Sequence, residues 1–413
     1  MLNNLNYFVF LLSLSISALV LPSIIPKVSL ITSILLFGTI LLNLYFDNKR
    51  LDSNKKFSSN NYLSSNFESI HFPFIVLFLL FCWVLLRFFM FEKSSPLSDL
   101  NLIAMHVLFL FFLYITQHKV VSYLKAYIYL VFIMSVCALL ANFLFIFDYI
   151  NPDAHEVNIS ILTNGAFSRD LLSLESYTFP YGLGFILTGD GQLNFLGIDF
   201  IRISGWAHEP TSATLFVSPA LLLLFHENII TNQAMKFVMI ISIGAFWFLA
   251  LSVGSFLAFA ILYSIVFFIY IYKKFFHKSK TMVIIFLSMI LLIPFSFVYL
   301  GHVFESALFS SKFNLDSHTF NTAFDQLKWF MPDSNKDLLS YTYHLFLWVI
   351  IFTFFLSSIF FLTHSQSNKV YAMILLYIII HSMKGSQTTV FYLIFTYFWL
   401  YITYFSSIYK PRN

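Results

Sequence analysis

The stretch AYIYLVFIMSVCALLANFLFIFD, residues 126–148, decides the class of fold, because it carries no charge before its final aspartate. About 20 consecutive apolar residues are enough for an α-helix to cross a bilayer core of roughly 30 Å. Charged side chains are costly at that depth, so a run of this length and composition is typical of a transmembrane helix. The sequence therefore predicts that residues 126–148 span a membrane.

The composition of the whole chain extends this prediction. Of its 413 residues, 59% are hydrophobic and 10% are charged, and the mean hydropathy is +0.82. A soluble domain has about 25% charged residues, so this chain is predicted to be solvated mainly by lipid. The net charge of +4 is small and scattered, which does not fit a nucleic-acid partner. Cys82 and Cys137 both lie in apolar runs, which argues against a disulfide framework or a thiolate metal site.

Twelve apolar segments have about the length of a membrane span, so the predicted fold is an all-α integral membrane protein with about 12 transmembrane helices and two long outer (periplasmic) loops. The predicted spans are 7–25, 28–46, 72–91, 101–116, 126–148, 210–225, 237–253, 255–272, 281–301, 341–363, 370–383 and 387–408. The predicted divisions of the chain are helices 1–5 (1–148), the first long loop (149–209), helices 6–9 (210–301), the second long loop (302–340) and helices 10–12 (341–413).

The distribution of Lys and Arg predicts the orientation of the chain. If the N-terminus is cytoplasmic, Lys and Arg are about three times as dense in the cytoplasmic loops as in the outer ones, as the positive-inside rule requires. The start, MLNNLNYFVF, lacks the basic stretch and cleavage site of a signal peptide, so the first span is predicted to be retained. Both termini are then cytoplasmic and both long loops lie on the outer face, where they can form one site.

The first long loop ends in IRISGWAHEPTSATLF, residues 201–216, which places Arg202, His208 and Glu209 just before a predicted helix. Pro210 suits the first helical position, where its missing N–H is not needed. A carboxylate such as Glu209 is also stabilised there by the helix dipole, by about 0.3–1 kcal/mol. Structural interpretations therefore stand beside the functional ones: Glu209 as a cap, His208 as an interfacial side chain, and Arg202 as a cation reaching the lipid headgroups.

Upstream in the same loop lies YTFPYGLGFILTGDGQ, residues 177–192, which is rich in glycine and aromatic residues. The segment is too interrupted to span a membrane and too apolar for an ordinary solvated loop. It predicts a segment that dips into the membrane, which is tolerated where protein or water covers the backbone.

The second long loop contains HTFNTAFDQLKWF, residues 318–330, whose apolar side chains have helical spacing. That spacing predicts an amphipathic helix on the outer surface. Lys312 and Lys328 are among the charged residues of this loop. His344 begins the next predicted span, where it is a candidate base or phosphate ligand; its alternative interpretation is an interfacial histidine.

Several classes of chemistry lack their usual motifs. The sequence has no HExxH, no DxD and no histidine pair at ligand spacing, so we predict no metal. It has no Walker loop or glycine-rich nucleotide fingerprint, so we predict no nucleotide cofactor and no nucleotide-driven pump. The main ionisable groups in the predicted spans are Arg87, His106 and His381, which are few for a transporter's proton relay.

Three segments resemble the Wzy-type polymerases of O-antigen and capsular polysaccharides. RISGWAHEPTSATLF, residues 202–216, is similar to that family's loop-to-helix junction, which has an arginine, a small residue and a Glu-Pro or similar pair. LALSVGSFLAFAIL, residues 249–262, resembles the Ser- and Gly-containing helix that follows. YTYHLFLW, residues 341–348, resembles the histidine-bearing helix start after the second loop. The resemblance is strongest over roughly 195–350 and elsewhere concerns topology; the second loop departs from the family by having no arginine.

The resemblance implies a metal-independent glycosyltransferase, without a cofactor, in a bacterial inner membrane. It would transfer a glycan chain from a polyprenyl diphosphate to the non-reducing sugar of a second lipid-linked repeat unit at the periplasmic face. Its partners would be these lipid-linked oligosaccharides, membrane lipid and, as a further candidate, a chain-length regulator protein. Arg202 would bind the diphosphate, assisted by His344, Lys312 or Lys328. Glu209, or else His208, would act as the base.

Three alternatives stay open on the sequence. An O-antigen ligase would have a similar architecture and the same donor, but lipid A-core as its acceptor. A flippase or other transporter of lipid-linked oligosaccharides fits the two long outer loops and the lack of repeat symmetry less well. A non-catalytic membrane scaffold would tolerate the loss of Arg202, Glu209 and His344 together.

Overall fold

The computed structural model describes residues 2–18, 28–53, 96–147, 149–150, 153–157, 174–179, 183–187, 192–195, 198–201, 203–207, 210–271, 355–356, 358–360, 362–363, 369–382, 395, 398–399 and 401–403. These residues are mainly helical, as predicted. They belong to two compact units. The first contains the N-terminal helices and the described residues from 395 onward, and the second contains the strands and the helices between residues 130 and 382.

In the described part of the chain, eight α-helices have the following bounds: α1 Leu2–Ala18, α2 Val28–Ser53, α3 Pro96–Ile115, α4 Val120–Ile146, α5 Pro210–His226, α6 Gln233–Leu249, α7 Val253–Ile271 and α8 Lys369–Ser382. A single 3₁₀ turn, Gln117–Lys119, joins α3 to α4. These helices coincide with eight of the twelve predicted spans. The other four predicted spans, 72–91, 281–301, 341–363 and 387–408, lie wholly or mostly outside the described residues.

Two of these helical segments are long and apolar enough to cross a membrane, namely α4 and residues 254–271 of α7. In the most apolar part of each helix, only 33% of the residues of α4 and 39% of those of α7 are buried. The core helix of a soluble protein would be mostly buried. The remaining positions carry large apolar side chains, such as Phe143 and Phe267, which are 55% and 59% exposed. Such apolar surface is rare in contact with water, and it indicates that the protein is associated with a membrane.

The first unit is held together by buried polar contacts and a cluster of aromatic rings. Asn6 of α1 and Asn43 of α2 are buried and donate to each other's side-chain oxygens, at 3.2 and 2.9 Å. Phe10 stacks on Tyr123 at a ring-centroid distance of 4.6 Å and packs against Phe398 at 5.0 Å. The paired amides satisfy their buried polar groups, while the rings supply the apolar core.

The second unit is organised around α5. Every side chain from Ser212 to Leu224 is buried, and α5 contacts α6, α7 and α8. Its sequence is apolar on all sides but includes the hydroxyl residues Thr214 and Ser218, which face neighbouring helices. A helix that is apolar all round is expected in the interior of a bundle, and this one carries its few polar groups into helix–helix contacts.

Five short strands lie in the first long loop, where the sequence analysis predicts none. They are β1 Asp153–Val157, β2 Leu174–Phe179, β3 Gly184–Leu187, β4 Gln192–Phe195 and β5 Ile198–Ile201. They form an antiparallel sheet of order β1-β2-β3 and a separate antiparallel hairpin of β4 and β5. In the sheet Asp153 is opposite Thr178 and Ser176 is opposite Leu187.

Residues 177–192, which the sequence predicts to dip into the membrane, contain paired strands. The first part ends β2 and the middle forms β3, and these two strands pair with each other. Strand pairing satisfies the backbone N–H and C=O groups of these residues. The membrane-dipping position of this segment stays a prediction.

Candidate functional site

The six predicted site residues all lie outside the described residues: Arg202, His208, Glu209, Lys312, Lys328 and His344. The structure neither brings them together nor separates them. It does describe the chain on both sides of three of them, because β5 ends at Ile201, residues 203–207 are described, and α5 begins at Pro210 as predicted. The geometry of the site is therefore built from this junction and from the helices that surround α5.

The junction between the first long loop and α5 is a tight, buried turn. The N–H of Ala207 donates to the carbonyl of Ser204 at 3.1 Å, which closes a β-turn with Gly205 and Trp206 at its centre. Gly205 has a φ of +60°, a value that favours glycine and is required at this position of the primed turn types. Ile203, Ser204 and Ala207 are buried. The turn thus redirects the chain within the protein interior just after Arg202.

Close contacts on both sides of Gly205 fix the turn in place. A Cβ on Gly205 would lie 3.1 Å from the ring of Phe246 in α6 and 3.5 Å from the side chain of Met134 in α4. A Cβ on Gly184, the first residue of β3, would lie 3.2 Å from the carbonyl oxygen of Gly205. The small sheet of the first loop and the turn therefore approach closely, and a Cβ on either glycine would force its neighbour to shift.

The same sheet is also anchored at the end of α4. Leu183, which precedes β3, packs together with Phe145 and Ile150 against the buried Ala141. Apolar contacts of this kind remove surface from solvent and stabilise the docked position. The first loop is thus attached to the second unit at two places, beside the turn and at the end of α4.

We expect Gly205→Ala to lower the free energy of unfolding by about 2 kcal/mol or more, because it combines a left-handed backbone with a steric conflict. The added methyl group would meet the ring of Phe246 at a distance that requires the ring or the backbone to move. Thermal unfolding of the detergent-solubilised protein measures the effect. The matched control is Gly244→Ala in α6, where a Cβ meets nothing within 4 Å and helix propensity favours alanine. Equal melting temperatures for Gly205→Ala and the wild type would contradict this description of the turn.

A first polar cluster, which we call the Ser218 cluster, joins three helices through Ser218, Trp247 and Tyr377. The indole Nε1–H of Trp247 in α6 donates to Ser218 Oγ at 2.9 Å. The hydroxyls of Ser218 and Tyr377, in α5 and α8, are hydrogen-bonded at 2.7 Å. Ser218 and Tyr377 are both buried. Buried hydrogen bonds between helices help to fix the relative position of the helices, because they are lost when one helix shifts.

A second cluster, the hydroxyl–imidazole cluster, consists of Thr214, Ser252, Ser255 and His381. Ser255 Oγ of α7 lies 2.9 Å from His381 Nε2 of α8 and 3.1 Å from Ser252 Oγ. It is also hydrogen-bonded to Thr214 Oγ1 of α5, and the Thr214 hydroxyl is 3.0 Å from the carbonyl oxygen of Pro210. All four side chains are buried. The cluster therefore connects α7 and α8 to the first turn of α5.

An unusual backbone conformation between α6 and α7 places two members of this cluster. Leu251 has a φ of +45°, which costs a residue with a side chain about 1–2 kcal/mol. Ser252 follows, and its carbonyl accepts from the N–H groups of Ser255 at 2.9 Å and Phe256 at 3.2 Å. Helix α7 thus starts at a turn that points the hydroxyls of Ser252 and Ser255 at each other. Strained backbone persists where the surrounding packing holds it, and here Leu251 is itself buried.

The chemistry of the two clusters is that of neutral hydrogen bonding. Their members are hydroxyls, an indole and an imidazole, so a diphosphate would need charge from other residues. Among the described residues, no group of three or more His, Cys, Asp or Glu side chains could hold a metal ion. The clusters are therefore suited to holding helices and the junction in a fixed geometry.

Most of these residues are not predicted as site residues by the sequence. Residues 249–262 form one of the predicted motifs and His381 is one of the ionisable groups in the predicted spans, but no role is predicted for Thr214, Ser218 or Tyr377. A signal was present, because Thr214 and Ser218 are four residues apart, as are Tyr377 and His381. Residues at that spacing lie on one face of a helix, so two polar faces could have been found in otherwise apolar spans.

Comparison with known proteins adds no family assignment. No protein-family model, no curated protein and no solved structure matches the chain. What the structure defines is a mainly helical protein with two candidate membrane-spanning helices, a strand-containing loop and a polar bundle interior.

Proposed function

We propose that the protein is a polymerase of O-antigen or another surface polysaccharide, resembling the Wzy type. In this proposal, it has about 12 membrane spans, cytoplasmic termini and two long loops at the periplasmic face of a bacterial inner membrane. The donor is a glycan chain on a polyprenyl diphosphate. The acceptor is the non-reducing sugar of a second lipid-linked repeat unit, and the chain grows by one unit in each transfer.

The observation that supports this proposal is the buried turn between Arg202 and Glu209. These residues are seven positions apart in sequence, and between them the chain makes a turn fixed by backbone contacts of Gly205. Directly after Glu209 the chain enters a buried helix. Catalytic and binding groups need fixed supports, because a displacement of about 1 Å can cost about 100-fold in rate. A junction of this rigidity is suited to holding a cation and a carboxylate in a defined relation.

The proposed roles follow from the charge that the reaction develops. The leaving group is a diphosphate, so fixed positive charge stabilises the transition state. Arginine is suited to this task because its guanidinium makes two parallel hydrogen bonds with phosphate oxygens. We assign this role to Arg202, with His344, Lys312 or Lys328 assisting. The acceptor hydroxyl has to lose a proton as the glycosidic bond forms, and we assign its removal to Glu209, with His208 as the second candidate.

The apolar surface of the helices supports a lipid-linked substrate. Residues on α4 and α7 expose large apolar side chains, so the protein has a surface on which a polyprenyl chain can lie in lipid. A chain-length regulator protein is a further proposed partner. An O-antigen ligase and a lipid-linked oligosaccharide flippase are the competing functions, and both use the same class of lipid-linked substrate.

Purified protein in lipid nanodiscs, supplied only with lipid-linked repeat units, tests the proposal. We expect products that carry two and more repeat units, together with released polyprenyl diphosphate. A ligase would leave the repeat units unchanged until a lipid A-core acceptor is added, and a flippase would form no bond in either case. The proposed function would be overturned if folded wild-type protein formed no glycan longer than one repeat unit under these conditions.

A further inference from the structure

We propose that the hydroxyl–imidazole cluster holds the start of α5 in place for glycan transfer, and that His381 is a positioning residue of this reaction. The inference rests on the proposed function, because it concerns the placement of Glu209 and the junction before it. His381 has no role in the motifs that suggested the function. It lies 126 residues from Ser255 in sequence, and the two meet at 2.9 Å in the fold.

The cluster reaches the proposed catalytic junction through a single hydrogen bond. The Thr214 hydroxyl donates to the carbonyl oxygen of Pro210 at 3.0 Å, and Pro210 is the residue that follows Glu209. Thr214 is in turn bonded to Ser255 in the first turn of α7, and Ser255 is bonded to His381 of α8. The first turn of α5 is therefore tied to two other helices at the end nearest the junction.

The hydrogen bonds of the cluster converge on Ser255. Its Oγ donates to Ser252 Oγ at 3.1 Å. A hydroxyl has one hydrogen to donate, so His381 donates to Ser255 from Nε2 across 2.9 Å. Thr214 Oγ1 is hydrogen-bonded to Ser255 and donates to the Pro210 carbonyl. The imidazole, the three hydroxyls and the first turn of α5 therefore belong to one connected hydrogen-bond network.

The position of the cluster explains why an imidazole is present in an apolar bundle. An ionisable residue at membrane depth is unusual and is generally retained for function. His381 packs beside the ring of Tyr377, with centroids 5.6 Å apart, and Tyr377 belongs to the Ser218 cluster. The imidazole is thus held by ring packing on one side and by its hydrogen bond to Ser255 on the other.

The test compares variants that keep or remove the donor at position 381. His381→Gln retains an N–H at the end of the side chain that can reach Ser255, while His381→Leu removes it with little change in volume. We expect His381→Leu to lower the kcat of polymerisation by about 10- to 100-fold per folded molecule, with KM for the lipid-linked repeat unit nearly unchanged. We expect His381→Gln to keep a kcat close to that of the wild type. The amount of folded protein is determined by size-exclusion chromatography.

Two controls separate positioning from a general effect of the substitutions. His226→Leu removes a histidine at the opposite end of α5, where the imidazole contacts the Tyr263 hydroxyl at the protein surface. Ser135→Ala removes a buried hydroxyl that donates to the carbonyl of Val131 in its own helix. We expect both variants to form glycan polymer with the kcat of the wild type.

Each outcome decides the proposal. A folded His381→Leu variant with wild-type kcat would overturn it, and so would a His381→Gln variant as slow as His381→Leu, because a retained N–H donor would then not restore the rate. If His381→Leu does not fold, Ser255→Ala and Thr214→Val take its place with the same expected loss of kcat. Full activity of both, or failure of both to fold, would overturn the positioning role. An inactive wild type would instead contradict the proposed function itself.

Discussion

Replacing Arg202 with lysine is expected to lower polymer formation by about 100-fold, the cost of losing one group that stabilises developing charge in a transition state. Lysine keeps the positive charge but is a compact point charge, so it cannot form the two parallel hydrogen bonds of a guanidinium. The measurement is the initial rate of repeat-unit consumption by purified protein in nanodiscs. The loss should appear mainly in kcat, because the charge on the leaving diphosphate increases as its bond to the sugar breaks.

Arg169 supplies the control for this substitution, because it is the other arginine of the first long loop. Its neighbour is Asp170, and their sequence suggests a surface ion pair of small energetic importance. The Arg169→Lys variant should therefore consume repeat units at the wild-type rate. A near-normal rate for Arg202→Lys would contradict the role of two parallel hydrogen bonds from the guanidinium. A near-normal rate for Arg202→Ala would contradict any role of Arg202 in the mechanism.

Replacing Glu209 with glutamine is expected to lower kcat by about 10²- to 10⁴-fold, the usual contribution of a general base. Glutamine preserves the shape of the side chain and can still accept a hydrogen bond at the start of α5, but it cannot accept the proton of the acceptor hydroxyl. Stability should change little, since the helix dipole favours the charged form by only about 0.3–1 kcal/mol. Rates and melting temperatures measured on the same preparation separate the two effects.

The two interpretations of Glu209 give opposite results in this experiment. If Glu209 only caps α5, the Glu209→Gln variant will form glycan polymer at the wild-type rate and have a slightly lower melting temperature. If Glu209 is the base, the rate of polymer formation will fall strongly while the melting temperature is nearly unchanged. Glu175→Gln, in β2 of the same loop, is the matched control and should have the wild-type rate. If His208→Gln is inactive and Glu209→Gln has the wild-type rate, His208 rather than Glu209 is the base.

The helices of this protein could be predicted well from the sequence. Apolar runs determined where they lie, and Pro210 marked the start of α5 to the residue. Residues 237–272 were predicted to form two helices divided at residue 254, and the structure divides them at residues 250–252. The predicted ends of the eight helices differ from the observed ones by up to seven residues, since apolar composition does not mark the point where helical hydrogen bonding stops.

The strands of the first loop could not be predicted in the same way. Residues 177–192 are apolar and glycine-rich, and apolarity alone does not distinguish a membrane-dipping segment from a short strand. The deciding contacts are non-local: β2 pairs with β1 across residues 158–173, and Gly184 meets the backbone of Gly205. The sequence indicates that a glycine tolerates such an approach, but it does not indicate which backbone approaches.

The polar clusters were missed for a related reason. Thr214 and Ser255 are 41 residues apart, and Ser218 and Tyr377 are 159 residues apart, so their contacts depend on how three helices pack. Serine and threonine are also common in apolar helices, where their hydroxyls bond to the preceding turn, as that of Ser135 does. Only the arrangement of α5, α7 and α8 shows that Ser255 and His381 form part of a bonded chain.

The surface glycan of whole cells tests the central proposal most directly. The measurement is a silver-stained gel of the glycolipids from cells that lack the gene and from cells restored with wild type or with Arg202→Ala. The polymerase proposal predicts a ladder of chain lengths with the wild type. It predicts core plus a single repeat unit in the deletion strain and in the Arg202→Ala strain. Complete loss of attached repeat units in the deletion strain would contradict a polymerase and point to a ligase or a flippase.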